Sequence, residues 1–145
     1  MATRKHSRSA KAAAKPKRGA DVATALEEYL AAWRFRRAVE AGLRSLGLTF
    51  TQWLVLDATE RAIVLNNDAV NQSHVARLSE LDRMTVSQVM KTLTEKGLVD
   101  RGPSAEGPAY RIILTARGRR LQAEGRAVAA HALPALRLGG GATVG

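Results

Sequence analysis

Apolar side chains recur at helical spacing from residue 22 onward, in blocks separated by turn-forming residues. Val22, Leu26, Leu30 and Trp33 make one stripe, and Phe35, Val39, Leu43 and Leu46 make a second on another face. The spacing predicts a helix over about 21–46, N-capped by Asp21 and stopped by Gly47. Two stripes on one helix call for burial on more than one side. In a chain of 145 residues the second cover is expected to be another subunit. The next helix opens with Thr49 and Gln52, a capping-box pair. Phe50, Trp53, Leu54, Val55 and Leu56 carry it to about Ala62, and Asn66, Asn67 and Asp68 break it.

Asn71 can cap a short helix with Val75, Leu78 and Leu81 inward. Asp82 or Thr85 caps another, which buries Val86, Val89, Met90 and Leu93 and stops at Gly97. Only residues 79–83 separate the two, a turn short enough to predict a helix-turn-helix. A strand over 98–101, a Gly- and Pro-containing loop over 102–109 and a β-branched strand over 110–114 then predict a hairpin. Thr115 caps a last helix that ends by Pro134. The expected fold is mainly α with a small β-hairpin wing: a winged helix-turn-helix between N- and C-terminal helices.

Composition narrows the function classes. The chain is 46% hydrophobic, enough for one real core. It has no cysteine, which excludes disulfides, thiol chemistry and cysteine-bound zinc. His6, His74 and His131 do not make a metal cluster by spacing, so no metal or cofactor is expected. There is no stretch of 18 apolar residues and no secretory h-region, so a cytoplasmic protein is expected. The net charge is +10, and it is uneven. Residues 1–20 carry Arg4, Lys5, Arg8, Lys11, Lys15, Lys17 and Arg18 and no acid. A basic arm, expected to be disordered when unbound, ahead of a nearly balanced body suggests a polyanion partner. Nucleic acid is favoured over an anionic membrane, because the arm has no bulky apolar residue to insert. A solubilising tail is the plainer alternative.

Order and spacing together bring in a resemblance. The segments LGLTFTQWLVL, NQSHVARLSELDRMTVSQVMKTLTEKGLVDR and YRIILTARGRRL resemble the MarR family of bacterial regulators over about residues 21–131. The resemblance implies a homodimer with interleaved terminal helices, a recognition helix in the major groove and a wing along the minor groove. It also implies a response to small aromatic acids bound between the dimerisation and DNA-binding parts. Two departures stand out. The family's wing Asp-x-Arg pair is replaced by Glu106 and Pro108, which removes a minor-groove arginine. Pro134 and the glycines after it leave little of the family's further C-terminal helix, which implies a smaller dimer interface.

On the second helix of the pair, Arg83, Thr85, Ser87, Gln88 and Lys91 are the polar candidates for DNA contact. Gln pairs with adenine, Arg with guanine, and Thr meets the thymine methyl. Thr85, Gln88 and Lys91 recur at i, i+3 and i+6, roughly one face; an ordinary solvated face is the alternative. Arg77, Arg101 and Arg111 are candidates for phosphate contact, or for internal salt bridges to Glu95, Asp100 or Glu106. Trp33 and Arg37, beside Arg34 and Arg36, could line an acid-binding pocket with Trp53 and His74, since Arg forks match carboxylates. Here a solvated helix face and two core tryptophans are the simpler reading.

These observations predict an arm over 1–20, one domain over 21–137 and a flexible Gly-rich tail over 138–145. Within the domain the helix-turn-helix and wing span about 66–115, and the dimerisation helices about 21–46 and 115–133. The expected function is a homodimeric, sequence-specific regulator of duplex DNA, a repressor with a possible small-molecule effector. A non-specific nucleoid-type protein and a winged-helix interaction module are the alternatives. No catalytic constellation supports an enzyme.

Overall fold

The computed structural model describes residues 21–66, 70–104 and 107–137. The basic arm, the tail over 138–145 and Glu106 of the wing lie outside the described residues. Helix α1 (Val22–Leu43) starts where the Asp21 carboxylate accepts the Thr24 N–H at 2.8 Å. It tightens into a 3-10 turn (Arg44–Leu46), and Gly47 ends it at φ +70°, a left-handed conformation that glycine adopts without penalty. Helix α2 (Phe50–Asn66) opens with the reciprocal bonds of the expected capping box, Thr49 N–H to Gln52 Oε1 and Gln52 N–H to Thr49 Oγ1, both 3.1 Å. It runs a turn beyond the expected end, because the Asn66 amide turns back to donate to the Ala62 carbonyl at 2.9 Å.

Helix α3 (Gln72–Ser79) is capped by Asn71, and helix α4 (Arg83–Glu95) by Asp82. Between them Glu80 holds φ +58°, the only left-handed non-glycine among the described residues. At the other end of α4, Gly97 (φ +75°) lets the chain turn, and the Leu98 N–H reaches back to the Leu93 carbonyl at 2.9 Å. The wing pairs β1 (Val99–Ser104) with β2 (Gly107–Leu114), antiparallel, from Val99 opposite Leu114 to Pro103 opposite Tyr110. The strands therefore run well into the segment expected to be loop. A proline is tolerated there because every strand of a two-stranded ribbon is an edge. On its outer side β2 is tied to the body by the Ile112 N–H, which donates to the Val70 carbonyl at 2.9 Å. Helix α5 (Ala116–Ala132) is capped by Thr115, and residues 134–137 form one more helical turn. Pro134 starts that turn, where its missing N–H costs nothing.

One core joins these elements. Helix α2 buries Trp53, Val55, Leu56, Ala58 and Ala62 and packs against all four other helices and β2. Val39 and Leu43 from α1, Val86, Met90 and Leu93 from α4, and Ile112 and Leu114 from β2 complete it. Of the two α1 stripes, Phe35–Val39–Leu43–Leu46 faces this core. The other remains outside, with Val22 75% and Leu26 55% exposed. No helix among the described residues is long and apolar enough to cross a membrane.

Candidate nucleic-acid interface

Helix α4 is held at both ends and along one side. Asp82 Oδ1 accepts the Thr85 N–H at 2.8 Å, and Oδ2 accepts the Thr85 hydroxyl at 2.7 Å. These two bonds, the backbone one foremost, hold the Asp82 carboxyl below the usual carboxylate range. At the far end the Lys96 ammonium donates to the Gly47 carbonyl at 2.6 Å and to Gln52 Oε1 at 3.1 Å. Val86, Met90 and Leu93 are buried against α2 and α3. The axial rotation of α4 is thereby fixed.

That rotation revises the sequence-based face. Thr85 is half-buried, and its hydroxyl proton is engaged by Asp82. The exposed row is instead Met84, Ser87, Gln88 and Lys91, at i, i+3, i+4 and i+7, with Arg83 beside its start. Gln88 and Lys91 were legible from sequence as neighbours on one face. Met84, 72% exposed, was missed, although its i−4 spacing from Gln88 was available as a signal.

Arg77 is exposed late in α3. Arg101 and Arg111 are exposed on the two wing strands, where Arg111 pairs opposite Gly102 and Arg101 opposite Ile112. Neither Arg77 nor Arg111 forms an ion pair among the described residues, so the bridges to Glu95 or Asp100 do not occupy them. The side chain of Pro108 belongs to the undescribed part of the wing.

The four residues proposed for an acid pocket are not brought together, because α1, α2 and α3 direct them to different places. Trp33 lies on the outer α1 stripe. Arg37 lines a groove along α1 itself with Arg34, Glu40 and Arg44. His74 completes the α3 capping box, its Nδ1 accepting the Asn71 N–H at 3.1 Å, and faces a cleft of about 220 Å³ beside Arg77. Trp53 is buried, with Nε1 donating to the Gln122 carbonyl at 3.3 Å and Phe50 edge-on at 5.9 Å.

A different polar cluster lies where α2 meets α5. Asp57, 7% exposed, accepts from Gln122 Nε2 at 2.9 Å and Arg126 Nε at 2.7 Å on one oxygen, and from Arg61 Nε at 3.0 Å on the other. Burial alone would raise the Asp57 carboxyl. The hydrogen bonds from Arg126, Gln122 and Arg61 together override it and hold the group below its ordinary value. Arg126 borders two clefts. One, of about 440 Å³, has Glu60, Arg61, Val64, Leu65 and Gln122 as its other walls. The other, of about 230 Å³, is lined by Phe35, Trp53, Asp57, Ala129, Ala130 and Leu133. The sequence signal for this cluster was an acid, Asp57, directly after the apolar stretch Trp53–Leu56 of α2.

Residues 46–107 match the model of the MarR family. No curated protein matches significantly. Among solved structures, Escherichia coli MarR complexed with operator DNA superposes with a TM-score of 0.65 at 17% identity, covering 77% of each chain. CouR from Rhodococcus jostii, bound to p-coumaroyl-CoA, gives 0.63 at 26% identity over 77% of this chain and 76% of that one. A Mycobacterium tuberculosis MarR family protein in complex with salicylic acid gives 0.60 at 27% identity over 82% and 84%. All three superpose over 77–82% of this chain, so the overall fold is shared with them. Over residues 46–107 the chain is similar to the MarR family, and its fold over the described residues is that of the winged-helix MarR structures.

Proposed function

We propose that the protein is a homodimeric repressor that binds duplex DNA sequence-specifically through α4 and is released by a small carboxylate. The observation that carries this reading is the outward row of α4. Ser87, Gln88 and Lys91 are exposed on a helix whose other side is locked into the core. Such a row projects side chains into a major groove, where Gln pairs with adenine and Lys meets phosphate. Exposed Arg83 on α4 itself, Arg77 on α3 and Arg101 and Arg111 on the wing add positive charge. The E. coli relative solved with operator DNA supports the reading, and repression itself is drawn from family likeness. The dimer reading rests on the uncovered stripe of α1, together with exposed Leu133 and Leu136 near the end of the chain's helices.

Selection of bound fragments from a random pool tests specificity and symmetry at once. The expected product is an inverted repeat with half-sites about one helical turn apart. An unenriched pool would make the protein a non-specific binder. On the selected site, Gln88→Ala should cost about 1–3 kcal/mol and relax one base position. Lys91→Ala should weaken all duplexes alike and lower the salt slope by about one. Two mutants that bind like wild type would sink the assignment of α4.

For the effector, the clefts beside Arg126 are the better candidates, since both combine a guanidinium with apolar walls and the smaller one is also lined by Trp53. In a Trp33→Phe background, aromatic carboxylates are expected to quench Trp53 emission and release DNA, and Arg126→Ala to weaken both effects. A full panel with neither effect would leave a regulator without a ligand.

A further inference from the structure

On the proposed DNA-reading face of α4, one side chain has the wrong polarity for solvent. Met84 is 72% exposed at the second position of the helix, with Arg83 before it and Gln88 one turn after. The residue that sequence pattern suggested for an apolar base contact, Thr85, is half-buried and tied to Asp82 through its hydroxyl. That leaves Met84 as the apolar group at the leading end of the row. The major-groove edge of a base pair offers one apolar feature, the 5-methyl group of thymine. A thioether chain with three rotatable bonds is suited to cover it. One helical turn is about 5.4 Å and base pairs are spaced about 3.4 Å, so residues one turn apart address base pairs one or two steps apart.

We infer that Met84 is a specificity-determining residue that packs on the 5-methyl group of a thymine one or two base pairs from the position read by Gln88. This rests on the reading of α4 as the DNA-contacting helix and adds to it the base and the atom recognised. Burying one methyl-sized group corresponds to about a fourfold change in affinity.

The test is a thymine-to-deoxyuracil scan of the selected duplex, which removes one methyl group at a time and leaves base pairing intact. Wild type is expected to lose about fourfold at one thymine per half-site. Met84→Ala should bind the thymine and deoxyuracil forms of that position equally, while Met84→Leu keeps the discrimination. Gln88→Ala should still discriminate there, because it addresses a different base pair. If Met84→Ala remains as sensitive as wild type, or if specific binding has no methyl-sensitive thymine, the inference fails while the DNA-reading role of α4 stands. A wild type with no preferred duplex at all would overturn both. Loss of self-association in Met84→Ala, with the scan unchanged, would assign Met84 to a protein contact instead.

Discussion

Gly118→Ala is expected to cost about 3 kcal/mol of stability and to lower the melting temperature by about 10 °C. Gly118 sits in the first turn of α5, and a Cβ there would overlap the backbone carbonyl of Leu98. Backbone cannot rotate away as a side chain does. That carbonyl also accepts the Thr115 N–H at 3.1 Å, while the Thr115 hydroxyl donates to the Gly97 carbonyl at 2.8 Å and accepts the Gly118 N–H at 3.0 Å. Leu98 itself is buried. The methyl group must therefore separate α5 from the junction between α4 and the wing, and the loss should lie at the upper end of overpacking costs. Gly47→Ala is the control: it has open space around it and a φ of +70°, so only about 1 kcal/mol of left-handed backbone strain is expected. Thermal unfolding of the two variants decides. Equal melting temperatures would mean that the contact with Leu98 does not limit packing.

Asp57→Ala should remove about 2 kcal/mol at neutral pH, and the loss should shrink on acidification. The variant leaves the buried Gln122 amide without its acceptor and two guanidiniums without their carboxylate. Severing a fully buried pair costs about 3–5 kcal/mol. Arg61 and Arg126 are 40% and 58% exposed, however, and can turn to water, so the lower figure applies. The folded-state pKa of Asp57 is depressed. Its contribution is thus fully present above the unfolded value, about 3.9, and is lost as pH falls through the lower folded value. Denaturant titrations of wild type and variant at pH 7 and pH 3 should show the gap narrowing at pH 3. A gap of constant size would mean that the carboxylate charge contributes nothing and the effect is one of packing.

Arg126 connects this cluster to the proposed effector site, since the same side chain binds Asp57 and borders both clefts. Counting nearby cations and aromatics made Trp33, Arg37, Trp53 and His74 a candidate acid-binding pocket, with a solvated helix face and two core tryptophans as the simpler reading. Helix packing separates these residues, and only Trp53 lines a cleft that holds an arginine anchored by a buried carboxylate.

The sequence by itself determined the elements and their order, because the helix starts are set by bonds that close within a few residues. Asp21, Thr49 with Gln52, Asn71, Asp82 and Thr115 each cap the helix that follows them, and Gly47 and Gly97 end the turns before them at positive φ. Apolar periodicity likewise identified the inner side of α4. Tertiary structure alone decided which α1 stripe faces inward, since both have the same period and differ only in what packs against them. It decided the rotation of α4, which moved Thr85 off the exposed row and put Met84 on it; adjacent helical positions lie about 100° apart, and only packing fixes an angle that fine. It also brought Asp57 to Gln122 and Arg126, 65 and 69 residues away, because α5 crosses α2 at a place that no local pattern encodes.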